Sequence, residues 1–302
     1  MRIVIGTRGS PLALAQANWI SQRLLEISDS VEIEIKVIKT RGDQILNLPV
    51  EKIGDKGVFI KELETALQNR DIDLAVHSAK DLPAEIPEEL ILGAFPERED
   101  PYDVLIAENN EKLETLPLKS VIGTSALRRQ SQLLNFRPDL KIELLRGNVE
   151  TRIRKLDEGK YSGIILAKAG LNRLGIKRGT PISRTIMLPS PAQGALAVEM
   201  RRNDTEILAI TTHLNDEKTS LCVQAERSFL TEMQGGCQLP LGAIAELRGS
   251  MLFMEGFIGS PDGKNLIRKS LEGEALKPIE LGKKLASLIL SRGGSEIRNA
   301  LS

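Results

Sequence analysis

The chain opens with an apolar run, Ile3-Val4-Ile5, that ends in the turn-forming stretch Gly6-Thr7-Arg8-Gly9-Ser10. Leu12, Leu14, Ala15, Trp19, Ile20 and Leu24 then recur at close to helical spacing, so the pattern predicts strand, tight turn, helix. In the next run Val31, Ile33, Ile35 and Val37 alternate with polar partners and stop at Lys39-Thr40-Arg41-Gly42-Asp43, as expected of a half-exposed strand leading into a polar turn. A helix is expected from about residue 57 to Gln68, followed by a buried strand, Asp73-Leu74-Ala75-Val76-His77. Its end carries Ser78-Ala79-Lys80-Asp81 before Pro83 breaks the chain. Three strands thus deliver polar residues at their carboxyl ends.

The same order then recurs. Ser120 to Ile122 leads into Gly123-Thr124-Ser125-Ala126-Leu127-Arg128-Arg129 and a helical stretch, and Lys141 to Leu145 ends in Arg146-Gly147-Asn148. A charged helix runs through Leu156, and Ser162 to Ala167 ends in Lys168-Ala169-Gly170-Leu171. Gly-Thr recurs, Arg-Gly-Asp answers to Arg-Gly-Asn, and a lysine follows the third strand in both halves. Two α/β half-modules of similar topology are implied. Pro96-Glu97-Arg98-Glu99-Asp100-Pro101 suits one crossover between them, and Leu188-Pro189-Ser190-Pro191-Ala192-Gln193-Gly194, before the strand-like Ala195 to Met200, suits a second. Two crossings between two lobes predict a hinge. Beyond Asn215 a helix through Phe229 reaches Gly235-Gly236-Cys237, alternating runs at 243–247, 252–258 and 266–271 predict antiparallel strands, and 281–290 is helical. The last stretch, about 85 residues, is expected to form a small separate α+β domain.

Composition narrows the function. The 302 residues hold 41 Lys plus Arg against 41 Asp plus Glu, so bulk charge steers nothing toward the molecule, and aromatics at 3% leave few rings to stack on bases. Broad nucleic-acid binding is therefore not expected. No apolar stretch approaches the ~18 residues that span a bilayer, and the amino terminus passes straight into a strand-like run and turn, so neither export nor membrane insertion is expected. Cys222 and Cys237 form no C-x-x-C pair, fitting neither a disulfide framework nor a zinc site, so a reducing cytoplasm is the expected compartment. His77 and His213 are the only histidines, and a histidine-built metal site is not expected.

Against this neutral background the cations cluster. Arg8, Arg41, Lys80, Arg128, Arg129, Arg146, Arg152 and Arg173 fall in or just after the turns that follow strands, where open α/β sheets bind ligands and helix amino termini attract anions. Solvated surface charge explains any one of them. Arg128-Arg129 after a Gly-Thr-Ser turn, with Arg146 and Arg152, points instead to a locally basic cleft for a ligand with several carboxylates or phosphates. No P-loop or Gly-x-Gly-x-x-Gly fingerprint occurs, which weakens nucleotide readings. Asp81, directly after Lys80, is a carboxylate among cations that could stabilise a substrate cation or move a proton; alone, it is as readily a cap before Leu82-Pro83. Cys237, on a glycine-flanked loop, could attack an electrophile, whereas Cys222 sits in a helical apolar pattern and is expected to be buried.

These motifs, in their order, resemble the porphobilinogen deaminase (hydroxymethylbilane synthase) family over essentially the whole chain. They are Gly-Thr-Arg-Gly-Ser-Pro-Leu-Ala-Leu-Ala-Gln (6–16), Thr-Arg-Gly-Asp (40–43), His-Ser-Ala-Lys-Asp-Leu-Pro (77–83) and Arg-Glu-Asp (98–100). Gly-Thr-Ser-Ala-Leu-Arg-Arg (123–129), Leu-Arg-Gly-Asn-Val (145–149), Ala-Gly-Leu-Asn-Arg-Leu-Gly (169–175) and Glu-Met-Gln-Gly-Gly-Cys-Gln-Leu-Pro (232–240) follow. The resemblance implies an α/β fold with two periplasmic-binding-protein-like (type II) lobes, 1–97 with 194–214 and 101–189, plus a small C-terminal α+β domain, 216–302.

It implies a dipyrromethane cofactor held through a thioether to Cys237, onto which four porphobilinogen units are joined head to tail with loss of ammonia before hydroxymethylbilane is released by water. A cytoplasmic monomer without nucleic-acid or membrane partners is implied. Asp81 takes the catalytic role. Ser10, Asp43 and Lys80 in the first lobe, with Thr124, Ser125, Arg128, Arg129, Arg146 and Gly147 in the second, are implied to bind the cofactor, and Arg8, Lys56, Arg152, Arg173 and Gln193 the substrate. Each pyrrole unit carries an acetate and a propionate, so a growing chain needs such cations. Two departures stand out: Ala126 replaces the usual serine of Ser-Leu-Arg-Arg and loses a hydroxyl, and Ala192 replaces the first glycine of Gly-Gln-Gly, which is expected to stiffen the second crossing. The competing class is a two-lobed solute receptor without catalysis, which the half-module pattern alone equally supports.

Overall fold

The computed structural model describes residues 1–28, 30–40, 60–83, 85–234 and 239–301. They divide into two compact units, Met1–Glu99 with Ala195–Ser220, and Asp100–Gly194 with Leu221–Ser302. The chain changes unit at Glu99/Asp100, within the stretch 96–101, at Gly194/Ala195, at the end of the stretch 188–194, and again at Ser220/Leu221.

In the first unit, β1 (Arg2–Thr7) leads into helix α1 (Pro11–Ile27), then β2 (Glu32–Val37), α2 (Lys61–Gln68), β3 (Leu74–Ser78), β4 (Leu90–Ala94) and, after the return, β10 (Leu196–Arg201) and helix α6 (Thr205–Thr211). Residues 57–59 of the expected second helix lie outside the described residues. The sheet order is β2-β1-β3-β10-β4; β1 runs parallel to β2 and β3, whereas β10 runs antiparallel to β3 and β4. Alternation along the strands sorts the core into two faces. Leu74, Val76, Leu196, Val198 and Met200 pack with Ala17, Ile20 and Leu24 of α1, while Ala75 packs with Leu63, Ala66 and Leu67 of α2 on the other side. Helix α1 starts where it does because Ser10 accepts a bond from the Ala13 amide and Pro11 follows it.

The second unit repeats this plan. Its strands β5 (Asp103–Ala107), β6 (Val121–Gly123), β7 (Lys141–Glu143), β8 (Gly163–Ala167) and β9 (Thr180–Pro181) order as β7-β6-β8-β5-β9. Here β6 is parallel to β7 and β8, and β5 is antiparallel to β8 and β9. In each unit, the antiparallel strand beside the third parallel one is the strand that follows a crossing: β5 after the first, β10 after the second. Helices α3 (Leu127–Phe136), α4 (Val149–Asp157) and α5 (Lys168–Arg173) follow β6, β7 and β8. The short runs 90–94 and 103–107 carry no periodic signal; both enter the sheets as strands, the first half-buried between its ends and the second buried throughout.

The C-terminal region builds helix α7 (Glu217–Glu232), the antiparallel strands β11 (Leu241–Arg248), β12 (Met251–Gly259) and β13 (Leu266–Glu274), and helix α8 (Pro278–Ile289). Phe229, Met233, Met254, Leu285 and the buried Cys222 share its own core. From Leu221 onward it belongs to the same unit as residues 100–194. Arg184 pairs with Glu246 and Glu255, and Arg268 reaches both Glu255 and the Arg184 carbonyl, which ties β12 and β13 to the segment before the second crossing.

Candidate functional site

Asp81 closes a single 3-10 turn, Ala79–Asp81, at the carboxyl end of β3. The strand is buried up to His77 and the chain emerges at its end, so Asp81 is exposed and Lys80 half-buried. Two bonds fix this strand end. Gln16 on α1 donates from Nε2 to Ser78 Oγ at 2.8 Å, and the Ala79 amide donates to the Ala195 carbonyl at 3.0 Å. Arg8 and Ser10 lie, half-buried, between β1 and α1, and the Ser10 hydroxyl accepts at the helix cap. The first unit therefore delivers Arg8, Ser10, Lys80 and Asp81 from strand ends of one sheet. Asp43 and Lys56 lie outside the described residues, as does Arg41.

In the second unit Thr124 is buried and accepts the Ala126 amide at 3.2 Å, while Ser125 is exposed. Ala126 provides no side-chain cap to α3, which leaves the positive end of that helix to any anion that approaches it. Gly147, at φ +118°, takes a left-handed turn that places a Cβ, were one present, against Thr151. Its carbonyl accepts from Arg152 Nε at 2.7 Å, and Lys155 Nζ donates to the Arg146 carbonyl at 3.1 Å. Arg173 donates to the Gly194 carbonyl at 2.7 Å, at the last residue before the second change of unit.

Arg128 and Arg129 are brought together on Asp103, a residue the sequence reading did not single out. Asp103, at the start of β5 and 1% exposed, accepts from Arg128 at 2.6 and 3.2 Å and from Arg129 at 2.8 Å. Burial alone would push its carboxyl up, but the two guanidinium groups outweigh this and hold it well below the usual carboxylate range. Gln193 completes the cluster: its Oε1 accepts from Arg128 at 2.9 Å, and its Nε2 donates to Asp103 at 3.0 Å and to the Pro101 carbonyl at 2.7 Å. Arg129 also donates to the Ile165 carbonyl, and its Nε is buried without a hydrogen-bond partner among the described residues. A buried N–H of that kind beside an uncapped helix start suits a carboxylate-bearing ligand. A signal for Asp103 was present in the chain: one acidic residue heads the otherwise apolar run Val104 to Ala107.

Among the described residues, no group of three or more His, Cys, Asp or Glu could hold a metal ion, and no helix is long and apolar enough to cross a membrane. Cys222 is a buried thiol, as its helical setting predicted; Cys237 lies outside the described residues.

A family model described as porphobilinogen deaminase, dipyromethane cofactor binding domain, matches residues 3–209, and one described as porphobilinogen deaminase, C-terminal domain, matches residues 220–291. A protein of Desulforudis audaxviator named porphobilinogen deaminase is 48% identical, with 98% of this chain and 96% of that protein covered. Proteins of the same name from Maridesulfovibrio salexigens and Shouchella clausii are 47% and 46% identical, each with 98% of this chain covered, and 97% and 96% of their own lengths. Among solved structures, the methionine binding protein MetQ is similar at 12% identity and a TM-score of 0.44, over 70% of this chain and 89% of its own.

Proposed function

Because this chain belongs to the porphobilinogen deaminase family, we propose that it joins porphobilinogen units with Asp81 as the catalytic carboxylate and the arginines of both units as carboxylate receptors. It is a transferase of tetrapyrrole biosynthesis: porphobilinogen is deaminated, four units are coupled head to tail, and hydroxymethylbilane is released by hydrolysis. A two-lobed receptor that merely binds is not favoured, since the family match extends through the C-terminal region.

The observation that carries the Asp81 role is its place: an exposed carboxylate, next to Lys80, at the pinned end of a buried strand. Loss of ammonia from porphobilinogen leaves positive charge on the pyrrole and its methylene. A carboxylate held in position stabilises that charge without reorganising, accepts hydrogen bonds from pyrrole N–H, and can relay the protons of departure and coupling. Removing one such preorganised group costs about 10²–10³ in kcat.

Cys237 would hold the dipyrromethane through its sulfur, and Ser10, Asp43, Lys80, Thr124, Ser125, Arg128, Arg129, Arg146 and Gly147 would receive its carboxylates and N–H groups. The uncapped start of α3 and the Nε of Arg129, which has no hydrogen-bond partner among the described residues, favour such a polyanionic occupant. When bound, that group supplies the free ring position to which the first unit is joined. Arg8, Lys56, Arg152, Arg173 and Gln193 take the incoming unit in this reading. The domains follow as 1–97 with 194–214, 101–189 and 216–302, and the enzyme works as a cytoplasmic monomer on small molecules alone, consistent with its charge balance and scarce aromatics. The test is product analysis with porphobilinogen: wild type yields hydroxymethylbilane and ammonia, Asp81→Asn loses at least about a hundredfold in turnover, and wild-type turnover by that variant rejects the role.

A further inference from the structure

The first unit buries a polar pair that the reaction, as described, does not use. His77 on β3 and Glu199 on β10 are 6% and 0% exposed, and His77 Nε2 lies 2.9 Å from Glu199 Oε2. In the register of the antiparallel pair, Ala197 faces His77 and Glu199 faces Ala75, so the bond runs diagonally between neighbouring strands. Both side chains point to the α2 face, because the residues that alternate with them, Val76, Val198 and Met200, pack toward α1. Glu64 of α2 feels the same pair. Its carboxyl is pushed up by burial first and by Glu199 second, against the weaker pull of His77 and Lys61. Glu199 Oε1 is buried with no hydrogen-bond partner among the described residues.

Such a pair is a poor way to gain stability. Apolar residues of similar volume in its place are often neutral or stabilising, whereas breaking it leaves a buried polar group exposed to no partner. What it does give is direction. The bond locks β3 at a point four residues before Asp81, on the face opposite the Gln16–Ser78 bond. Just beyond it, the Ala79–Ala195 bond joins the first residue of the turn that holds Asp81 to the start of the return segment.

We propose that His77 and Glu199 are positioning residues for Asp81, clamping the end of β3 from the α2 face as Gln16 clamps it from the α1 face. The inference rests on the reading of Asp81 given above. A displacement of about 1 Å at a reacting group can cost on the order of a hundredfold in rate, so a strand end held from both faces is worth a polar pair in the core.

The test is a double-mutant cycle on the cofactor-loaded enzyme, with kcat normalised to the folded fraction read by circular dichroism. Glu199→Leu removes the acceptor and is expected to lower kcat about tenfold or more with KM within about twofold. Glu199→Gln keeps an oxygen for His77 Nε2 and is expected to stay within about threefold of wild type. In an Asp81→Asn background, Glu199→Leu should cause no further loss, since the residue it positions is gone. Wild-type kcat for Glu199→Leu, or the same fractional loss in both backgrounds, overturns the inference while leaving Asp81 catalytic. Wild-type turnover by Asp81→Asn overturns the reading of Asp81 instead. Should Glu199→Leu fail to fold, the two histidines allow a second readout: porphobilinogen binding to wild type should shift the imidazole signal of His77 and not that of exposed His213, and an unmoved His77 signal overturns the inference.

Discussion

Gln193 Nε2 donates to the carbonyl oxygen of Pro101 at 2.7 Å, so within the second unit one buried amide joins the segment that enters at Asp100 to the one that leaves at Gly194. The same side chain satisfies Arg128 and Asp103. Gln193→Leu has nearly the right volume but removes one partner from each of Arg128, Asp103 and the Pro101 carbonyl in a dry setting, at a cost of about 1–3 kcal/mol. Urea unfolding should show a lowered midpoint with an unchanged slope. An unaltered midpoint would mean that the cluster closes without this amide.

Asp103 gives the fold an acid limit. Its folded-state pKa is depressed, so its stabilisation is complete above the unfolded value near pH 4 and is lost as the pH falls through the folded value. Asp103→Asn removes this term and leaves Arg128 and Arg129 buried around a neutral group, which should destabilise at neutral pH by about 3–5 kcal/mol. The gap between wild type and variant should narrow below pH ~4. Thermal melts across pH check both the size and the narrowing.

Ala192 has φ +60° and is fully buried, a left-handed backbone that a side chain disfavours. Its amide is held by Glu226 on α7. Ala192→Gly relieves the strain and should raise stability by about 1 kcal/mol, even after the greater freedom glycine gives the unfolded chain. A lowered melting temperature would show that the turn bears no such strain.

Glu64 works in the opposite sense to Asp103. Its carboxyl is raised by burial and by Glu199, so folding favours its protonated form: its contribution is fully present below the unfolded value and is lost as the pH rises through the folded one. Glu64→Gln should therefore be the more stable protein at neutral pH, with the advantage gone below pH ~4. Matched melts at the two pH values decide it.

The backbone plan was largely legible in the chain because its signals are local. The run at Ile3, the turn at 6–10 with the helical spacing after it, and the alternation from Val31 each declare an element within a few residues, and the Gly-Thr turns mark where both half-modules begin. What the chain could not declare was partnership. Arg128 and Arg129 announce themselves as cations, yet Asp103 lies 25 and 26 residues upstream on a strand whose apolar run has no period. Glu199 sits within the apolar stretch Leu196 to Met200, and only the pairing of β10 with β3 explains a carboxylate there by bringing it to His77, 122 residues away. Consecutive residues on a strand end, as at Lys80-Asp81, can be read as a site; a buried polar pair between strands far apart in sequence has to be seen.

The account centres on an oligopyrrole built on this chain's own thiol, and the mass of the intact protein tests it most directly. Freshly purified wild type should carry an adduct of two pyrrole rings. Cys222→Ser, which alters a buried thiol in the C-terminal core, should keep it, and Cys237→Ser should lose it together with turnover. An unmodified mass in active wild-type protein, or an adduct that survives Cys237→Ser, would contradict the account.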